Sequence, residues 1–249
     1  LVFIALEVAA FLLISMNNAY PRSSILSTAN NFIAWQHAQI SEIGGYFSLR
    51  SQNEQLAAEN TALRNRICSM DSAKNNAPIH YEQAKVVQMT TDQLHNYLTI
   101  NRGSKDGIQS KQGVRNEDGV VGIVRTVGRN YSVVQPLINT ETNLSCRFAK
   151  NGYFGTLQWD GKDNRFALLT DVAAHMVVNP GDTIITSGLT TAFPEGIPVG
   201  IVENSTLREG ESYYTIRVRL NTNFKRLKYV EVVQNAHQNE LEELTNGMD

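Results

Sequence analysis

The stretch from Leu49 to Met70 constrains the fold more than any other. Leu49, Asn53, Leu56, Asn60, Leu63, Ile67 and Met70 follow one another at alternating steps of four and three residues. That spacing lines them up on one side of a helix, with Leu49, Leu56, Leu63 and Met70 at d and Asn53, Asn60 and Ile67 at a. Leucine at d with asparagine at a is the pattern of a two-stranded parallel coiled coil, in which a buried asparagine sets register at some cost in stability. The flanking charges agree: Glu59 at g would face Arg64 at e of a partner, and Arg66 at g would face Asp71 at e. The alternative is one amphipathic helix packed on its own domain. The pattern predicts a dimer seam and a rod, because both ends of the stretch give a rod something to connect.

Before the rod, Leu1 to Met16 reads LVFIALEVAAFLLISM, nearly all apolar, and leaves through the polar Asn17–Arg22 with Pro21 as a helix stop. A bilayer crossing needs about 20 residues, so residues 1–18 are read as a transmembrane anchor truncated at its start. A signal-peptide core and a buried helix are the alternatives; no small-x-small cleavage site stands out. Glu7 is a candidate intramembrane contact, since an acid at mid-span costs about 2.5–3.5 kcal/mol and is retained for a reason. Residues 19–72 are read as a juxtamembrane helix and coiled coil, with Gly44-Gly45 breaking the phase between them. Such a helix of about 45 residues would reach about 70 Å. Residues 73–83, containing Asn75, Asn76 and Pro78, read as a linker.

From Ala84 the period changes to two. In Tyr214–Leu220 the side chains of Tyr214, Ile216, Val218 and Leu220 face one way and Thr215, Arg217 and Arg219 the other. Similar short runs occupy Ala84–Thr90, Tyr97–Asn101, Gly119–Val127, Tyr131–Leu137, Leu144–Ala149, Phe154–Trp159, Phe166–Thr170, Thr183–Ser187, Val199–Glu203 and Tyr229–Gln234. Turn sequences such as Gly103–Gly107, Asp118-Gly119 and Asn179–Asp182 separate them. The fold class is therefore mainly β, behind an N-terminal membrane helix and coiled coil. Many short strands without a long helix among them point to small antiparallel barrels or a sandwich. The reading adopted is a first β domain at 84–138, completed in one variant by 205–235, and a second at 139–204. Residues 205–235 supply the final strands and 236–249 a polar tail.

The net charge of −2 advertises no nucleic-acid surface. Cys68 at a b position and Cys146 in a strand suggest neither a metal set nor a disulfide, and the five histidines are scattered, so no cofactor is expected. A serine protease would draw on Ser187 or Ser145 as nucleophile, His95 or His175 as base, and Asp171 or Asp182 to orient it. No glycine-flanked nucleophile elbow surrounds either serine, and the chain reads as a non-enzyme.

The most distinctive stretch is GDTIITSGLTTAFPEGIPVGIV at 181–202, a strand, a turn, a stiff proline-held loop and a returning strand. Gly181, Asp182, Thr186, Ser187, Gly188, Leu189, Phe193, Pro194, Gly196, Pro198, Val199, Gly200 and Val202 resemble the pattern of the bacterial rod shape-determining MreC family. Asn101, Gly103–Gly107 and Asp118–Gly122 with Val124 look like the same family's earlier strands. Thr190-Thr191 departs from the paired glycines common there, which suggests a less left-handed loop. The resemblance implies a single-span inner-membrane protein with most of its chain in the periplasm, carrying two small β-barrels and forming dimers or higher assemblies. It implies a non-catalytic scaffold that maintains rod shape by organising and activating peptidoglycan synthases. The partners implied are MreD, penicillin-binding protein 2, RodA and MreB. The stiff Phe193–Pro198 loop is where a transpeptidase contact would be sought. A periplasmic adaptor of an efflux or secretion assembly is the alternative, although such adaptors fold the coiled coil as a hairpin and only one helical run precedes the strands here.

Overall fold

The computed structural model describes residues 2–17, 51–69, 79–207 and 210–235. Expectations placed on Leu49, Met70 and Asp71, on the juxtamembrane stretch 19–50, on most of the linker and on the tail 236–249 lie outside these residues. The chain forms two compact units, Leu1–Leu56 and Ala57–Asp249. In the first, helix α1 (Val2–Asn17) has Phe3, Ile4, Leu6, Val8 and Leu13 all exposed. No helix among the described residues is long and apolar enough to cross a membrane. A second helix, α2, covers residues 51–69 and carries the chain into the second unit.

Two closed six-stranded antiparallel barrels make up the rest of the described residues. The first runs β1 (Ile79–Met89), β12 (Tyr229–Asn235), β3 (Gly113–Arg115), β4 (Val120–Val127), β5 (Ser132–Pro136) and β2 (Leu98–Ile100), which pairs back with β1. The second runs β10 (Pro198–Thr206), β11 (Tyr213–Leu220), β8 (Phe166–Ala173), β7 (Phe154–Gln158), β6 (Asn143–Phe148) and β9 (Thr183–Thr186), which pairs with β10. The second barrel is thus inserted between β5 and β12 of the first. Residues 205–235 divide between the two: Tyr213–Leu220 lies between β10 and β8 of the second barrel, and only Tyr229–Asn235 returns to the first. The division follows from the side chains. Ile216 and Val218 are fully buried within the second barrel, whereas Val230 and Val232 are buried opposite Ala84 and Val114 of the first.

Alternation built these strands, and it also explains what it concealed. Residues 79–83 fall in the stretch read as linker, yet they form the first half of β1, and Gly113–Arg115 forms a strand too short to show a period. All three residues of β3 are buried, Arg115 included, so exposure does not alternate along it. Gly122 shows why one strand position admits no side chain: a Cβ there would sit 2.2 Å from the Gln135 carbonyl oxygen on the neighbouring strand. Replacing Gly122 with alanine is expected to destabilise the first barrel by about 1–3 kcal/mol. Urea unfolding would show this as a lower midpoint with an unchanged slope.

Candidate functional site

In β1, β12 and β3 the side chains that point away from the barrel interior ought to be wet. Val230 and Val232 point inward, so the alternation sends Glu231 and Val233 outward, together with Tyr81 and Arg115, their cross-strand partners. All four are nevertheless buried, at 6%, 2%, 5% and 7% exposure. What covers them is helix α2. The Thr61 hydroxyl lies 2.8 Å from Glu231 Oε1 and 3.0 Å from the Ala57 carbonyl, so its single proton serves both acceptors. Arg64 Nε is 3.1 Å from Glu231 Oε2, and Arg115 Nε is 3.7 Å from the same oxygen while donating to the Asn116 carbonyl. The Asn65 amide donates to the Tyr81 carbonyl at 2.9 Å and accepts from the Tyr81 N–H at 2.7 Å. That pair of bonds is what a neighbouring strand would supply, and it caps the open edge of β1. Cys68 completes the contact, half-buried against the apolar core.

The electrostatics follow from this burial. Desolvation pushes the Tyr81 phenol above its ordinary 10.0, with Cys68 adding to the rise and Arg115 opposing it. Desolvation likewise lowers the Arg115 guanidinium, helped by Arg64 beside it. One carboxylate held against two guanidiniums and a hydroxyl is costly to assemble but costlier to break, by about 3–5 kcal/mol when a partner of a buried charge is removed.

The helix has thus docked its polar side. Leu63 and Ile67 remain 58% and 60% exposed, Asn60 is exposed, and Leu56 before them is 58% exposed. Asn53 is exposed as well. Within the second unit, the a and d residues Asn60, Leu63 and Ile67 therefore stand clear of the barrel, while the b, e and f residues Thr61, Arg64, Asn65 and Cys68 meet it. Arg64, assigned by spacing to a Glu59 of a second chain, is engaged by Glu231 of its own chain.

The motif residues of 181–202 have a different place. Thr186 Oγ1 donates to the Pro194 carbonyl at 2.6 Å and accepts from the Ile197 N–H at 2.9 Å, which stitches the loop shut. The loop is then pressed onto the first barrel: the Gly113 N–H donates to the Ala192 carbonyl at 3.0 Å, and a Cβ on Gly113 would lie 2.4 Å from the Phe193 ring. Gly119 meets the Pro198 carbonyl as closely, and the Thr222 hydroxyl donates to the Val120 carbonyl at 2.8 Å. Phe193 is 2% exposed, so the expectation of a transpeptidase contact on this loop is corrected for its aromatic ring, which joins the two barrels. Glu195, Gly196 and Leu189 stay on the surface, with Glu195 ion-paired to Arg147. Gly181 and Gly188 hold left-handed turns at φ 93° and 75°, Asp182 accepts from the Asn179 N–H, and Val199 and Gly200 are buried in β10.

Of the residues weighed for catalysis, the two serines meet each other, while His95 and Asp171 have other partners. Ser187 donates its hydroxyl to Ser145 at 2.9 Å and accepts from the Leu189 N–H. His95 faces Glu141 at 3.8 Å, His175 is exposed, and Asp171 takes the Thr170 hydroxyl. Among the described residues no cluster of three or more histidine, cysteine or acidic side chains could hold a metal ion. A groove of about 340 Å³ on β4 and β5 of the first barrel is lined by Ile123, Arg125 and Gln135 together with Lys111 and Glu141. Glu231 and Asn65 carry the helix contact and were not singled out by spacing. The signal was a lone acid among Val230, Val232 and Val233, in a strand otherwise without charge.

This arrangement defines a class of protein: a pair of β-barrels in contact, preceded by a helix whose polar side is engaged by the first barrel and whose Leu63 and Ile67 are left open. The family model for the rod shape-determining protein MreC, barrel core, matches residues 86–234, and the chain belongs to that family of cell shape-determining proteins. Cell shape-determining protein MreC of Haemophilus influenzae is 30% identical over 182 residues, covering 71% of this chain and 49% of that protein. A solved chain described as the major periplasmic domain from the cell shape-determining filament MreC has a TM-score of 0.55 at 22% identity, covering 64% of this chain and 97% of that one. A chain from the complex between penicillin-binding protein PBP2 and MreC of Helicobacter pylori has a TM-score of 0.50 at 15% identity, covering 63% and 99%. At those identities the solved structures show the fold alone. The chain spans about half the length of the curated relatives it matches, 49% for Haemophilus influenzae and 59% for Escherichia coli.

Phe193→Ala is expected to lower stability by about 3–5 kcal/mol, by opening a cavity where the barrels meet, and the loss would be read from chemical unfolding. Because the folded Tyr81 phenol titrates above its unfolded value, its contribution is present below pH 10 and is lost as pH rises through the folded value. Tyr81→Phe should therefore flatten the alkaline fall in thermal midpoint relative to the parent, when both are followed from pH 8 upward.

Proposed function

We propose that this chain is a non-catalytic scaffold of the cell-wall elongation machinery, held at the inner membrane with its barrels in the periplasm. Two copies pair through the stripe of Leu49, Asn53, Leu56, Asn60, Leu63, Ile67 and Met70, and the paired helices present two barrel modules to peptidoglycan synthases. The observation that carries this reading is the division of labour on α2: its polar side is engaged by its own barrel, and Leu63 and Ile67 are left uncovered. Two uncovered aliphatic side chains per helix are worth about 1.5–3 kcal/mol each on burial, and a second helix of the same spacing buries both.

The apolar surface of α1 supports the membrane anchor, with Glu7 as its one ionisable contact. The relative solved together with PBP2 supports a transpeptidase as partner, and family membership supports MreD, RodA and MreB as the remaining assembly. The scaffold would act by binding the active conformation of a synthase more tightly than the inactive one.

Photoreactive residues scanned over the exposed barrel surfaces in living cells should capture a cell-wall transpeptidase from one contiguous face. Leu63→Lys should weaken self-association at least tenfold in sedimentation and turn rods into spheres. Unchanged association together with normal cell shape would dispose of the paired scaffold.

A further inference from the structure

We propose that Glu231 determines which side of α2 turns toward the first barrel. The covered patch includes Tyr81 and Val233, and an apolar patch offered an amphipathic helix should take its leucine side. Docking through Leu63 and Ile67 would remove more apolar surface from water than docking through Thr61, Arg64 and Asn65. The helix docks the other way round, and Glu231 is the group that distinguishes the two orientations. With the polar side down, its carboxylate accepts from the Thr61 hydroxyl through Oε1 at 2.8 Å and is ion-paired with Arg64 through Oε2 at 3.1 Å. With the leucine side down it would be buried beneath aliphatic carbon, left with Arg115 at 3.7 Å, whose Nε already donates to Asn116. A buried carboxylate stripped of its hydrogen bond is the more expensive outcome. Glu231 is thus a specificity-determining residue that acts by penalising the wrong face. As a consequence the leucine stripe stays free for a second copy. That consequence rests on the proposed pairing; the choice of face does not.

The native thiols supply the test. Cys68 is half-buried on the docked side of α2, and Cys146 is buried in the second barrel as an internal control of folding. The full chain in detergent micelles would be labelled with a maleimide and the sites resolved by peptide mass spectrometry, in the parent and in a Leu63→Cys background. Glu231→Leu should raise the Cys68 rate at least tenfold and protect position 63 by a similar factor, equally at every dilution. Protection of position 63 by a second chain disappears on dilution, so loss of pairing and loss of face selection give different results.

Rates at both positions within twofold of the parent would overturn the proposal. So would equal exposure of both positions, because the carboxylate would then hold the helix without choosing its face. Should Cys146 become reactive in Glu231→Leu, Glu231→Gln takes its place. Its amide oxygen still accepts from Thr61 but no longer attracts Arg64, and the Cys68 rate should rise about threefold. An unchanged rate in that variant refutes the assignment.

Discussion

The structure depends on one strand serving two surfaces. β12 pairs with β1 on one side and β3 on the other, and without it the first barrel has two open edges. Its inward residues Val230 and Val232 fill the barrel, and its outward residues Glu231 and Val233 form the floor on which α2 rests. Closing the barrel and seating the helix are therefore the same event. A helix of this length gains little from its own hydrogen bonds in water; here residues 57–69 are fixed by a hydroxyl, a guanidinium and an amide aimed at fixed strand positions. Polar contacts of this sort are directional, so they set the rotation of the helix about its axis in a way that a greasy patch would not.

The two barrels are joined by contact between backbones. Gly113 and Gly119 let the loop at 192–198 come within hydrogen-bonding distance of the first barrel, and Thr222 fastens the crossing back. The family motif thus reads as the joint of the module. Thr186 closes the loop, Phe193 fills the seam, and Pro194 and Pro198 remove donors that would otherwise need partners there. Such a joint sets the two barrels directly against one another.

Much of this was legible in the residues. The period-two runs located the strands because a barrel wall buries one face, as Ile216 and Val218 against Arg217 and Arg219 illustrate. Where both faces are covered the period vanishes, and so Gly113–Arg115 escaped; Ile79–Gln83 escaped for another reason, because His80, Glu82 and Gln83 beside a lone buried Tyr81 make it polar like the linker before it. Strand order was hidden for a further reason: nothing local tells Tyr213–Leu220 and Tyr229–Asn235 that they close different barrels. The heptad was visible from spacing alone, but its neighbours carried a second message. Thr61, Arg64 and Asn65 read as solvent-facing positions of a rod, and only the distant Glu231 and Tyr81 give them their use.

The inserted topology has a consequence for how the chain is made. The six strands of the second barrel, β6 to β11, are contiguous and complete by Leu220, whereas the first barrel lacks a stave until Asn235 is available. A chain emerging from its amino end therefore exposes the unpaired margins of β1 and β3 throughout the synthesis of everything between them. Closure across that distance is the slow kind of pairing. The last few residues of the barrel region thus act as a proof of completeness: a polypeptide cut short before β12 has one finished barrel, one gaping one, and no seat for its helix.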